Sequence, residues 1–136
     1  MKHIIISGIF LVMLLALSVL VFDPTHLYYE LPWLDIPMHI LGGFGVASLT
    51  AAILTYRGKK VSLMSLFIAY SIVAVSWELY EYAKDLMTRD KWNGWYDTSK
   101  DLFDGALGVV VLYWFSKGSQ QQADEVSDTR TRYTRT

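Results

Sequence analysis

Asp97-Thr98-Ser99-Lys100-Asp101-Leu102-Phe103-Asp104-Gly105-Ala106-Leu107-Gly108 opens an apolar segment and yet carries three carboxylates. Asp97, Asp101 and Asp104 are spaced i, i+4, i+7, so a helix of about 3.6 residues per turn stacks them along one face, roughly 6 Å apart. Like charges at that separation repel. A segment entering hydrocarbon keeps three aligned acids only where something cationic, a metal ion or shared protons, meets that face. The face therefore reads as one wall of a site.

The rest of the chain is the setting for that wall. It has 136 residues, 53% of them hydrophobic and 15% aromatic, with a mean hydropathy of +0.29. That apolar content lies well above a soluble domain and reads as an integral membrane protein. The length allows one compact unit without a second domain. A formal charge of −1 gives no sign of a nucleic-acid partner. The absence of cysteine excludes disulfides and thiolate metal sites, so any metal must be held by oxygen and imidazole.

The first apolar run, Ile4 to Phe22, follows Lys2 and His3, and its 19 residues can cross a hydrocarbon core of about 30 Å. The apolar region of a signal peptide is shorter, about 7–15 residues, and ends in small residues. This run ends in Phe22-Asp23-Pro24 and reads as an uncleaved helix. Residues 23–34, with two prolines and several aromatic side chains, form a loop suited to a membrane interface, with His26 solvated. A second span covers Asp35 to Tyr56, with Pro37 in its first turn, and it ends at Arg57-Gly58-Lys59-Lys60. Its Gly42, Gly43, Gly45, Ala47, Ser48, Ala51 and Ala52 offer small surfaces for a neighbouring helix. A third span covers about 61–83. Residues 84–96 make a charged, aromatic loop with a turn at Asn93-Gly94 and with Trp92, Trp95 and Tyr96 at the interface. A fourth span covers about 98–117, and residues 118–136 read as a disordered polar tail. The expected fold is an all-α, four-helix membrane bundle.

Lysine and arginine set the topology without reference to the acids. Lys2, the group Arg57, Lys59 and Lys60, and Lys117 with Arg130, Arg132 and Arg135 all fall on one side. On the other side, loop 23–34 has neither residue, while Lys84, Arg89 and Lys91 are a mild exception. Both termini are thus expected to be cytoplasmic.

This topology brings the ionisable residues to one end. Asp35 and His39 (i, i+4) open the second span, Glu78 and Glu81 (i, i+3) close the third, and the three aspartates open the fourth. All lie at the extracytoplasmic end. An intramembrane Asp costs about 2.5–3.5 kcal/mol on insertion scales, so these groups should face inward toward a partner. One imidazole and up to six carboxylates suit a divalent ion such as Zn, Mn, Mg, Ca or Fe, and suffice for one or two ions. His39, Glu78, Asp101, Asp104 and Asp35 are the candidate ligands, and Glu81 and Asp97 the candidate catalytic groups. A metal there could acidify a water and polarise a phosphoryl or carbonyl oxygen. The aromatic surroundings point to membrane lipids or a lipid-linked substrate, and the enzyme reading is a metal-dependent hydrolase or transferase.

Blander roles stand beside these. Asp35 and Asp97 can serve as helix caps, Glu81 and Asp85 can be solvated among headgroups, and His39 can be a hydrogen-bonded core residue. Clustered acids can also handle protons or cations without catalysis, which calls for a polar path toward the cytoplasmic end. The sequence offers only Ser48, Thr50, Ser65, Ser71 and Ser76 for it, and four helices are few for a monomeric transporter, which leaves a homo-oligomer open. A metal that merely holds the helices together is a third option.

Asp-Ile-Pro-Met-His-Ile-Leu-Gly-Gly-Phe (35–44), Trp-Glu-Leu-Tyr-Glu-Tyr (77–82) and the stretch 97–108 together resemble the pattern of VanZ-like and YjdF-like small bacterial membrane proteins. In that group an Asp-x-x-x-His, a Glu-x-x-Glu and an Asp-rich motif followed by glycine recur across a four-helix unit. The resemblance spans roughly residues 30–115 of this chain and would mark His39, Glu78, Glu81, Asp101 and Asp104. VanZ-like members are associated with glycopeptide-antibiotic tolerance. The resemblance therefore implies a multi-pass protein of the bacterial inner membrane with a role in the cell envelope, and no defined reaction.

Overall fold

In hydrocarbon a backbone has no water to bond, so each long apolar run must close its own hydrogen bonds as a helix. The computed structural model describes residues 1–22, 24, 25, 27–88 and 94–133, with side chains for all of these except Tyr29 and 119–133. Among the described residues the regular structure is helical throughout. α1 (Lys2–Leu17) ends in a π-turn over Ser18–Phe22. α2 (Leu27–Glu30) and a 3₁₀ turn (Pro32–Leu34) lead into α3 (Asp35–Tyr56). α4 (Leu63–Thr88) and α5 (Trp95–Tyr133) follow. Among the described residues three stretches are long and apolar enough to cross a membrane, Lys2–Phe22, Pro32–Tyr56 and Leu63–Met87.

The sequence reading needs amendment in several places. The loop expected over 23–34 is largely helical turns, and His26 lies outside the described residues. α4 runs past the expected end of the third span at residue 83 to Thr88, so the expected loop 84–96 shrinks. Arg89, Lys91, Trp92 and Asn93 of that loop lie outside the described residues. The expected fourth span, 98–117, belongs to α5 but is not among the three membrane-length apolar helices. Asp97, Lys100, Asp101 and Asp104 crowd its first turns and leave only Gly105 to Phe115 as its apolar part. α5 also continues to Tyr133 through the stretch that composition assigns to a disordered tail. Helix propagation from a formed segment costs far less than nucleation, and the Gln, Ala and Glu residues of 120–125 are good helix formers.

Tertiary contacts fix the directions of the helices. Ser7 Oγ and Ser48 Oγ share a hydrogen bond of 2.8 Å, and Leu11 lies against Gly45, so α1 runs antiparallel to α3. Tyr70 donates from its hydroxyl to the Leu102 carbonyl at 2.6 Å, which ties α4 to the early turns of α5. Gly43 faces Gly105, and Gly108 faces Ile40 and Phe44, so α3 and α5 run parallel. The start of α3, the end of α4 and the start of α5 therefore share one end of the molecule. Lys2 and the Arg57–Lys60 turn lie toward the other. At that turn Gly58 takes φ +66°; its amide donates to Thr55 O at 3.0 Å and that of Lys59 to Leu54 O at 2.9 Å, a Schellman closure of α3.

The core beneath the acids consists of Val46 and Ala47 of α3, Leu66 and Tyr70 of α4, and Val109 of α5, all buried. The outer faces are apolar, with Ile5, Ile9, Val12, Met64, Ile72, Leu107 and Val111 exposed, as lipid contact requires. α3 and α5 meet backbone to backbone. A Cβ on Gly43 would overlap the Gly105 carbonyl, and one on Gly108 would overlap Ile40 O and come within 2.6 Å of Phe44 N. A Cβ on Gly105 would collide with the Tyr70 ring. Backbone cannot swing aside as a side chain does.

Gly43→Ala and Gly108→Ala should each destabilise the folded protein by about 1–3 kcal/mol or more, as overpacking does. Gly42→Ala, whose Cβ would meet nothing within 4 Å, should be neutral or slightly stabilising. Thermal unfolding in detergent checks the contrast, and equal melting of the Gly42 and Gly43 variants would refute the close-approach account.

Candidate functional site

Asp35 is the first residue of α3. It does not cap that helix: the N-cap is Leu34, with no side-chain cap bond. One helical turn on, the His39 ring points back along the same face, and its Nε2 lies 3.2 Å from Asp35 Oδ1. The parallel approach of α5 brings Asp101 Oδ1 to 3.7 Å from the same nitrogen. Asp35, His39 and Asp101 each offer one ligand atom such that all three lie within 4.8 Å of one another. Among the described residues this is the set of potential metal ligands that the fold gathers.

Asp101 and Asp104 are buried, at 4% and 8% exposure, while most charged side chains stay in water. Asp104 lies one turn deeper than Asp101, and its Oδ2 is buried without a hydrogen-bond partner. A carboxylate oxygen so placed carries an uncompensated desolvation cost.

The sequence reading missed Lys100. Its Nζ donates to Asp35 Oδ2 at 2.7 Å and to Asp101 Oδ1 at 2.5 Å, and lies 3.7 Å from Asp104 Oδ2. A cation does meet the acidic face, and it comes from the protein. The two oxygens of Asp35 divide their work: Oδ1 faces His39 and Oδ2 faces Lys100. The clue was present in the sequence, since Lys100 stands i, i+4 to Asp104 and next to Asp101.

The remaining candidates surround this group without joining it. Glu78 and Glu81, one turn apart on α4 and partly buried, lie within electrostatic reach of His39 and Asp35, and Glu81 also within reach of Asp101. Glu78 faces Thr98 of α5. Asp97 is in the first turn of α5, within electrostatic reach of Glu78 and outside the Asp35–His39–Asp101 set. The polar residues that could continue a path to the far end are engaged locally or stand apart. Ser48 pairs with Ser7, Thr50 and Ser76 bond carbonyls of their own helices, Ser65 pairs with Ser62, and Ser71 is exposed. The buried apolar core lies between the acids and the opposite end of the molecule.

The described geometry is that of a membrane helix assembly with an acidic and imidazole group at one end, and the comparison with protein families agrees with it. Residues 2–121 match the model of a family described as predicted membrane protein (DUF2238). The chain belongs to this family. The DUF2238 match covers α1 to α4 and the part of α5 that carries Lys100, Asp101 and Asp104. Searches among curated proteins and among solved structures found no match.

The two buried aspartates should respond oppositely to neutralisation when no divalent metal is present. Asp101→Asn removes the closest partner of Lys100 and should cost about 1–3 kcal/mol. Asp104→Asn relieves a buried charge whose Oδ2 lacks a hydrogen bond and should be neutral or stabilising by about 1 kcal/mol. Melting temperatures of both variants in EDTA check this, and destabilisation of the two by the same amount would contradict it.

Proposed function

We propose that this DUF2238 protein binds a divalent cation with Asp35, His39 and Asp101 at the extracytoplasmic face of a bacterial cytoplasmic membrane. There it hydrolyses or transfers a group on a lipid or lipid-linked envelope substrate. The observation that carries the reading is the convergence of three ligand atoms from two helices within 4.8 Å. Two carboxylates and an imidazole suit Zn, Mn or Fe(II) better than Ca or Mg, which favour all-oxygen sites. The buried, unbonded Oδ2 of Asp104 supports a further cation contact at the floor of the group.

The orientation rests on the lysine and arginine distribution, and the substrate class on the exposed aromatic residues at the acid end, Tyr80, Tyr82, Trp95 and Tyr96. The resemblance to VanZ-like proteins supports an envelope role. A bound divalent metal would supply an acidified water and a polarised phosphoryl or acyl oxygen. Glu81, on α4 and electrostatically linked to His39 and Asp101, would be the group to take the proton of a water activated there. Glu78 and Asp97, partly buried at the same end and within electrostatic reach of each other, would be the groups beside which a polar headgroup is held.

Lys100 favours a second reading, a cation- or proton-handling protein without turnover, because the acids already have a cation beside them. The apolar core between the acids and the opposite end weighs against passage through a single copy.

Metal analysis by mass spectrometry of the detergent-purified protein tests the proposal. Wild type should carry one equivalent of a transition metal or manganese, and His39→Ala and Asp101→Asn should lose at least nine-tenths of it while still inserting. Metal content unchanged in both variants would sink the assignment, and a well-folded wild type that takes up no metal even on titration would move the weight to the second reading.

A further inference from the structure

Lys100 is the residue for which the proposed metal chemistry leaves no role. Its ammonium lies at hydrogen-bond or ion-pair distance from carboxylates of two helices, Asp35 on α3 and Asp101 and Asp104 on α5. Its side chain keeps 30% exposure while that of Asp101 keeps 5%, so the lysine enters from the open end and can withdraw there, as long cationic side chains do near a membrane surface. Three carboxylates held close to a buried core repel one another, and Lys100 is a cation that reaches all three. The orphaned Oδ2 of Asp104 points toward the same ammonium, beyond hydrogen-bond range. One monocation thus serves a group built for more positive charge than it provides.

We infer that Lys100 is a positioning residue, a tethered substitute cation that holds Asp35, Asp101 and Asp104 together in the metal-free protein and is displaced from Asp101 when a divalent ion binds. The inference rests on the metal reading above and deepens it, since it concerns what occupies the site before the metal does. The two cations compete for one atom, because Asp101 Oδ1 accepts from Lys100 and is also the ligand atom that faces His39. Three carboxylates carry three negative charges. With the His39 imidazole neutral, as a metal ligand must be, one divalent ion and one ammonium balance them, and the ammonium alone does not. Glu78 and Glu81 of α4 lie within electrostatic reach of Asp35 and His39 and add acidic groups to the surroundings. The protein can therefore fold and insert before it meets its metal, at the cost of weaker metal binding.

The test compares wild type, Lys100→Met, Lys100→Arg and the double variant Lys100→Met/Asp104→Asn, purified in detergent. Melting is followed in EDTA and during titration with Mn²⁺ or Zn²⁺. Lys100→Met should melt well below wild type in EDTA, regain wild-type stability or more with metal, and bind metal at least tenfold more tightly. Lys100→Arg should keep wild-type behaviour, and the double variant should recover stability in EDTA because one of the three repelling charges is gone. A Lys100→Met protein that melts like wild type in EDTA and binds metal no more tightly overturns the inference while leaving the metal site standing. Loss of stability in Lys100→Met that no divalent metal restores, together with a wild type that binds none, overturns the metal reading and the exchange with it. If Lys100→Met fails to accumulate, the double variant decides: recovery of a folded protein supports the inference, and failure of the double variant as well overturns it.

Discussion

The close approach of α3 and α5 at Gly43, Gly105 and Gly108 is the constraint on which the rest of the molecule depends. Helices in lipid gain little from hiding apolar surface, because the surrounding chains are as apolar as their own side chains, so packing and polar contacts must hold them together. Three positions without a Cβ let two backbones meet where a methyl group would collide. The consequence lies one to two turns away. At the separation fixed by Gly43 and Gly105, His39 and Asp101 face each other at 3.7 Å, and Lys100 reaches Asp35 across the same gap. A wider crossing would take His39 and Asp35 away from α5 and leave Asp101 and Asp104 with Lys100 alone. Tyr70 closes the arrangement from the third side, its ring filling the space over Gly105 and its hydroxyl holding the Leu102 carbonyl.

The acids in turn explain why α5 begins where it does. Polar residues 97–101 keep the first turns of this helix near the open end, and the buried apolar contacts begin immediately below, at Ala106 and Val109. Seen along α5, burial alternates with the helical period: Asp101, Asp104, Gly105, Gly108 and Val109 are buried while Phe103, Leu107 and Val111 are exposed. One continuous stripe thus carries both the charged group and the helix contact. A substitution made to tune the site is therefore close to a substitution that disturbs packing, which is why charge-neutral isosteres are more informative here than truncations.

Much of this was legible in the sequence, for identifiable reasons. Apolar length pointed to four spans, of which the first three are membrane-length apolar helices and the fourth is not, and the i, i+4 and i, i+3 spacings put Asp35 with His39 and Glu78 with Glu81 on common faces. The small residues of α3 suggested a close partner but could not say that it was Gly105 and Gly108. The requirement for a cation opposite the aspartates was correct as physics and incomplete as an assignment, because it looked outside the chain. Lys100 escaped notice because neighbouring residues on a helix project about 100° apart, so a lysine beside Asp101 seems to belong to another face. Its four-carbon stem makes that projection a poor guide, since the charge lies several ångströms from the Cα and goes where the carboxylates are. The continuation of α5 past Lys117 was missed for the opposite reason: composition reports how little apolar surface a segment can bury, and not whether a helix already formed will extend into it.

The ionic group also bears on how the chain enters a membrane. An unpaired aspartate at the level of Asp104 is costly in hydrocarbon, and three are worse. If α5 inserted alone, its own Lys100 could offset only part of the charge, since Asp35 and His39 belong to α3. Pairing across helices makes the stable placement of α5 conditional on α3 already being there, and α3 precedes it in the chain. The order of the elements, with the imidazole and the first carboxylate synthesised before the acids that need company, therefore suits the energetics of assembly. The Asp35–Lys100 pair and the glycine contact beneath it both require α3 beside α5.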